Sequence, residues 1–195
     1  MNTATFFATF GIIFLAELGD KTQLTAMALA ARYPWKRVFI GLAAAFALLN
    51  LAAVLLGSFL FTVLPLFWIK IASAALFLFF GVTTLRAKEF DEAAEQEEEK
   101  RFKVRGPIVT SFFMILLAEI GDKTQLVTAS LAAQHDSPLA VFTASTLALW
   151  AVSLVGIFAG RQLLRFVSLP TLHKVAGLLF LAFGAAVLYQ AFSFH

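Results

Sequence analysis

One nine-residue motif occurs twice in this chain, and both copies lie inside long apolar stretches. The first copy, A-E-L-G-D-K-T-Q-L, covers residues 16–24, and the second, A-E-I-G-D-K-T-Q-L, covers residues 118–126. Each copy puts two carboxylates where a lipid bilayer contains no water. Ionisable residues at that depth cost ~2.5–3.5 kcal/mol each on insertion scales and commonly mark ion pathways. The duplication predicts two related halves that together build one buried acidic site.

The composition predicts an all-α polytopic membrane protein. Of the 195 residues, 61% are hydrophobic and only 14% are charged. Soluble domains are typically about 45–50% apolar and about 25% charged. The chain has no cysteine, which excludes disulfides and thiolate metal sites. The chain has a net charge of +3, but we expect it to be embedded in a lipid bilayer and to bind no nucleic acid.

Six apolar stretches are long enough to cross a membrane, since about 20 apolar residues suffice. The predicted spans are 4–31, 38–62, 67–86, 107–133, 139–161 and 172–193. Between the third and fourth spans lies a polar segment, 87–105, with seven acidic residues followed by four basic ones. It predicts an acidic cytosolic linker between two three-helix repeats, 1–86 and 106–195.

The two halves can be aligned along their length. Glu17 corresponds to Glu119 at an offset of 102 residues, and Gly81 corresponds to Gly184 at an offset of 103. The segments around these glycines, F-L-F-F-G at 77–81 and F-L-A-F-G at 180–184, support that register. Because three spans are an odd number, the second repeat is predicted to be inverted in the membrane, as in many secondary transporters.

The basic residues predict the orientation. With six spans, 12 of the 15 lysines and arginines lie on one face, and only Lys70 lies on the other. Cytoplasmic loops carry the excess of positive charge, so both termini are predicted to be periplasmic. The 12 residues are Arg32, Lys36, Arg37, Arg86, Lys88, Lys100, Arg101, Lys103, Arg105, Arg161, Arg165 and Lys174.

The motif offers oxygen ligands in a regular pattern. On a continuous helix, Glu17, Asp20 and Gln23 would form one polar stripe ~9 Å long, and the second motif would repeat it. If the two motif helices cross near the membrane centre, four carboxylates and two amide oxygens converge, with threonine hydroxyls beside them. The candidate metal-binding residues are Glu17, Asp20, Thr22, Gln23, Glu119, Asp122, Thr124 and Gln125.

Oxygen ligands indicate a hard cation such as Mg²⁺, Ca²⁺ or Mn²⁺, and the three histidines lie outside the motifs. Four acids and the two motif lysines sum to −2, which one divalent cation or protons would neutralise. That equivalence predicts exchange of a cation for protons. Two alternatives stay open: a salt-bridge network of the acids with Lys21 and Lys123, and a path for protons alone.

Two further features leave alternatives open. Gly19 and Gly121, inside the motifs, allow either close helix packing or a local break that frees carbonyl oxygens. Asn50 and Ser153 correspond at an offset of 103 and are either secondary ligands or, as we favour, helix–helix hydrogen-bond partners.

The sequences E-L-G-D-K-T and E-I-G-D-K-T resemble E-x-G-D-[KR]-[ST], the signature of the GDT family of cation/proton antiporters. That family includes Golgi manganese/calcium transporters and bacterial manganese exporters. The resemblance extends over both motifs, the six-span layout and the acidic linker. It implies that Glu17, Asp20, Glu119 and Asp122 bind the cation, and the short chain looks like a bacterial inner-membrane member.

We therefore expect a secondary transporter that exports Mn²⁺ in exchange for protons by alternating access. A Ca²⁺/H⁺ antiporter of the same family and a divalent-cation channel are the alternatives. We expect no prosthetic group and no enzymatic activity, because no nucleophile–base set accompanies the acids. The oligomeric state is left open.

Overall fold

The structure, a computed structural model, describes residues 3–86, 106–134, 137–166 and 169–193, and every secondary-structure element in these ranges is an α-helix. The all-α prediction is therefore confirmed for them, while the linker 87–105 lies outside the described residues. The eight helices within those ranges are α1 (Thr3–Glu17), α2 (Lys21–Arg32), α3 (Trp35–Val63), α4 (Leu66–Leu85), α5 (Pro107–Glu119), α6 (Lys123–Gln134), α7 (Pro138–Phe166) and α8 (Leu169–Ser193).

Prolines set several of the helix starts. Pro34 and Pro65 occupy the positions just before α3 and α4, and Pro107 is the first residue of α5. Proline lacks an N–H and has φ fixed near the helical value, so it fits the first turn of a helix and interrupts a helix elsewhere. Gly106, immediately before α5, has φ 85°, a conformation that glycine adopts without a Cβ penalty.

Four of the described helices are long and apolar enough to cross a membrane: Trp35–Val63, Leu66–Leu85, Pro138–Ala159 and Lys174–Ser193. The helix pair α1 and α2 makes a fifth if it is counted as one span, although it bends by 69° between Thr3–Glu17 and Thr22–Arg32. Helix α5 is apolar but has only 13 residues. The protein is thus an integral membrane protein with at least four candidate spans.

The spans predicted at 4–31 and 107–133 are each divided into two helices. Both are interrupted inside the duplicated motif, where α1 ends at Glu17 and α5 ends at Glu119. The physical reason is backbone geometry at two glycines. Gly19 has φ 86° and Gly121 has φ 76°, in a region that right-handed helices do not use and that glycine enters without a Cβ penalty.

The long helices α3 and α7 lie side by side and run in opposite directions. Near the start of α3, the rings of Trp35 and Phe158 are 4.8 Å apart. Fifteen residues further along α3, Asn50 Nδ2 donates to Thr146 Oγ1 at 3.2 Å. Because the partner number falls as the α3 number rises, these corresponding helices of the two halves are antiparallel.

Helices α4 and α8 also pack antiparallel, through reciprocal contacts. A Cβ atom at Gly81 would lie 2.6 Å from Leu181 Cγ, and one at Gly184 would lie 3.0 Å from Leu78 Cγ. Leu78 and Leu181 are themselves 103 residues apart, as are the two glycines. The same contact is therefore made twice, once from each half, at the offset that the sequence indicates.

The two halves interleave around the motifs. Helices α1 and α2 pack against α7 of the other half, while α5 and α6 pack against α3. Buried apolar residues such as Ile13, Phe46, Ile115, Val127 and Leu149 fill the space between them. This packing of each half against the other brings the two interrupted motifs together in the interior, beside α3 and α7.

Candidate metal centre

Both motifs fold into the same tight turn between two helices. The Asp20 amide donates to the Glu17 carbonyl at 3.1 Å, and the Asp122 amide donates to the Glu119 carbonyl at 3.0 Å. Each aspartate then stands immediately before the first residue of the following helix, a position where an anion is favoured by the helix dipole. Of the two roles left open for Gly19 and Gly121, the structure has the helix break.

The motif glutamines stabilise these turns. Gln23 Oε1 accepts a hydrogen bond from the Gly19 amide at 2.6 Å, and Gln125 Oε1 accepts one from the Gly121 amide at 2.7 Å. The expected continuous polar stripe is therefore wrong, because the helix changes direction between Glu17 and Gln23. The two glutamine amide oxygens, which were predicted to be metal ligands, accept hydrogen bonds from backbone N–H groups.

The motif threonines join the two halves. Thr22 Oγ1 donates to Glu119 Oε1, and Thr124 Oγ1 donates to Glu17 Oε1. Each hydroxyl thus orients the glutamate of the other motif, and the pair of contacts repeats at the 102-residue offset. All four side chains are buried.

Three carboxylates converge at this point. Oxygens of Glu17, Glu119 and Asp122 lie within 4.8 Å of one another, and Glu17 and Glu119 are only 1% and 4% exposed. Glu17 Oε2 and Asp122 Oδ2 are buried and have no hydrogen-bond partner among the described residues. Burying unpaired carboxylate oxygens is costly unless a charge compensates them. The arrangement can surround one hard divalent cation with oxygen ligands.

The fourth motif acid, Asp20, is not in that group. Its Oδ2 forms an ion pair with Lys123 Nζ, and the two side chains are 9% and 16% exposed. The sequence predicted convergence of four carboxylates, and the structure brings three together while the fourth pairs with a lysine from the other half. One contact of the alternative salt-bridge network is therefore present beside the carboxylate cluster.

A small pocket borders Glu119. Its cavity volume of 10 Å³ is about the least that admits one water molecule. Asn50, on its wall, makes the hydrogen bond between α3 and α7, as expected of a helix–helix partner, whereas Ser153 Oγ donates to Leu149 O at 2.8 Å within its own helix. The apolar wall residues carried no sequence signal that could distinguish them from core. The lining consists of Phe46, Leu49, Asn50, Glu119, Thr124, Gln125 and Leu149.

The sequence matches the family described as "Divalent cation/proton antiporter GDT1" over residues 5–92 and 107–194, which include both motifs. The chain belongs to the GDT1 family. The resemblance inferred from the two motif copies is thereby confirmed, and GDT1 proteins are transporters of divalent cations and protons by that description.

Curated relatives agree with this membership. The GDT1-like protein sll0615 of Synechocystis is 34% identical over 188 residues, which cover 88% of this chain and 90% of the relative. A Vibrio cholerae protein named "Putative manganese exporter" is 33% identical, with coverage of 91% and 86%. The chloroplast protein PAM71 of Arabidopsis thaliana is 32% identical over 95% of this chain, which spans 56% of that relative. No solved structure matches the chain.

Proposed function

We propose that this GDT1 protein exports Mn²⁺ from the cytoplasm in exchange for protons by alternating access. The observation that carries the proposal is the buried cluster of Glu17, Glu119 and Asp122, with two carboxylate oxygens that have no partner among the described residues. Mn²⁺ and Ca²⁺ both accept such ligands. The name of the Vibrio cholerae relative favours Mn²⁺, and Ca²⁺/H⁺ exchange is the second candidate.

Each site residue has a proposed role. Glu17, Glu119 and Asp122 bind the cation directly, and Asp20 joins them when Lys123 leaves it. Thr22 and Thr124 orient the glutamates and add hydroxyl ligands. Gln23 and Gln125 hold the turns in the shape that points the acids inward. The cation is the transported substrate, and no prosthetic group or catalytic step is proposed.

The alternating-access part of the proposal rests on symmetry. The antiparallel pairs α3/α7 and α4/α8 are what two inverted repeats would produce, with each of the pairs α1/α2 and α5/α6 acting as one span interrupted at its motif glycine. Broken helices near the membrane centre are a common way for transporters to build ion sites. Six spans in two inverted repeats would let one site open to either side in turn.

We place the protein in the bacterial inner membrane with both termini in the periplasm. Arg32, Lys36, Arg37 and Arg86 are exposed at the ends of α2, α3 and α4, on the side that the positive-inside rule assigns to the cytoplasm. A cysteine introduced at Glu95 should be labelled by an impermeant reagent only from the cytoplasmic side. Labelling from the outside would contradict this orientation.

Exchange with protons follows from ligand chemistry. A carboxylate must be deprotonated to bind a metal, so cation binding releases protons and protons compete with the cation. The test is Mn²⁺, Ca²⁺ and Mg²⁺ transport by the purified protein in proteoliposomes, with and without a pH gradient. We expect a gradient to drive Mn²⁺ transport against its concentration. Unitary conductances in single-channel recording, or transport indifferent to the gradient, would contradict the antiporter.

The first prediction concerns the acids themselves. Glu17→Gln, Asp20→Asn, Glu119→Gln and Asp122→Asn should each abolish or severely reduce export, because each removes a charged ligand and a proton acceptor together. Export is measured in the proteoliposome assay on variants that elute as folded protein in detergent. The matched controls, Glu95→Gln and Glu97→Gln in the linker, should stay near the wild-type rate. Four active motif variants would place the binding site elsewhere.

A further inference from the structure

The ion pair between Lys123 and Asp20 connects the two halves beside the carboxylate cluster. Lys123 belongs to the second motif and Asp20 to the first, and both side chains are mostly buried. The Lys123 ammonium also interacts electrostatically with Glu17 and Asp122, two members of the cluster. A positive charge that is fixed to the chain thus stands among the acids proposed to bind the substrate.

We propose that Lys123 is a tethered cation that occupies the Asp20 side of the site and competes with the transported cation. This inference rests on the proposed function. The three carboxylates in the cluster are partly compensated by the ammonium while no divalent cation is bound. When a divalent cation enters, it displaces the ammonium from Asp20, and Asp20 becomes a further ligand.

The alternative is an ion pair that only holds the start of α6 to the turn that precedes α2. The two accounts predict opposite changes in cation affinity when the positive charge of Lys123 is removed. An ion pair that only supports the fold would, when removed, leave the ligands poorly placed and weaken cation binding. A competing ammonium would, when removed, strengthen cation binding, because the site loses a positive charge that is paired with Asp20 and interacts with two of the cluster acids.

Charge counting gives a second difference. The two motif sequences together carry −2 when their four acids and two lysines are ionised, and Lys123→Gln changes this to −3. The variant should therefore favour a trivalent ion over a divalent one more than the wild type does. If the ion pair only supports the fold, the ratio of trivalent to divalent affinity should stay the same in Lys123→Gln.

The experiment measures Mn²⁺ and Tb³⁺ binding to the purified full-length protein in detergent, by calorimetry and by terbium luminescence. Lys123→Gln should bind Mn²⁺ roughly tenfold or more tightly, raise the ratio of Tb³⁺ to Mn²⁺ affinity, and export Mn²⁺ more slowly because release is slower. Lys123→Arg should restore wild-type affinities. Lys174→Gln, which removes an exposed lysine, is the matched control and should change neither affinity.

A double variant keeps the test independent of folding defects. Asp20→Asn alone should bind Mn²⁺ most weakly, because the ammonium is left with only the cluster acids. Asp20→Asn combined with Lys123→Gln restores the charge of −2 and should bind with an affinity between those of the two single variants. Mn²⁺ binding to the wild type with weaker binding to Lys123→Gln would overturn this inference and leave the proposed function intact. A wild type that binds no divalent cation would overturn the proposed function itself.

Discussion

At the residue scale, the most informative contacts are the two hydrogen bonds that a threonine hydroxyl of one motif donates to the glutamate of the other. Thr22 donates to Glu119 and Thr124 donates to Glu17, so each half orients a carboxylate that belongs to the other. Neither motif alone therefore has an oriented glutamate. This reciprocity explains why the threonine sits at the same place in both copies of the motif.

The second prediction follows from these contacts. Thr22→Val and Thr124→Val should each weaken Mn²⁺ binding by a similar factor, about tenfold or more, since a hydrogen bond to a charged group is worth ~1.5–3 kcal/mol. Thr→Ser at either position should retain wild-type affinity. Binding is measured by calorimetry in detergent.

The control for the threonines is Thr83→Val. Thr83 is exposed, and among the described residues its hydroxyl donates to the Phe79 and Phe80 carbonyls of its own helix, so its removal should leave Mn²⁺ affinity unchanged. A strong effect at one motif threonine and none at the other would contradict the reciprocal arrangement.

At the scale of the elements, the sequence predicted the helices well and their interruption poorly. Apolar stretches and prolines predicted α3, α4, α7 and α8, because length and hydrophobicity decide membrane spans. The breaks could not be decided from Gly19 and Gly121 alone, since a glycine in an apolar helix serves close packing equally well. Likewise, nothing local to the motif could show that Lys123 reaches Asp20, because that pairing depends on how the two halves meet.

The third prediction isolates the backbone strain at one break. Gly121 has φ 76°, and nothing lies within 4 Å of where its Cβ would be. Gly121→Ala should therefore destabilise the protein through conformation alone, by roughly 1–2 kcal/mol. Gly11 also has open space around it but lies inside α1, so Gly11→Ala should stabilise by about 0.5–1 kcal/mol. Thermal unfolding in detergent measures both, and equal effects would contradict the strain argument.

At the scale of the whole molecule, the relation between the halves is defined by how α4 and α8 cross. Leu78 of α4 meets Gly184 of α8, and Gly81 of α4 meets Leu181 of α8. The fourth prediction uses this register in the cysteine-free chain. Leu78→Cys together with Gly184→Cys should form a disulfide on mild oxidation, read as a mobility shift in a gel.

The matched control for this cross-link is Leu78→Cys together with Gly177→Cys. Gly177 lies against Leu85, about two helical turns from Gly184, or roughly 10 Å along the axis. This pair should stay reduced under the same conditions. Cross-linking of the control, with none in the first pair, would exclude the antiparallel crossing.

The leucine-on-glycine contacts of α4 and α8 have a consequence for the ancestry of such a chain. Residues 1–86 contain both partners of the contact, Leu78 and Gly81, and both partners of the motif contact, Glu17 and Thr22. Two copies of one such half, facing opposite ways in the bilayer, would form both of these contacts twice in a closed two-fold dimer. A half-length gene whose product inserts in both orientations would thus have sufficed before duplication joined the copies.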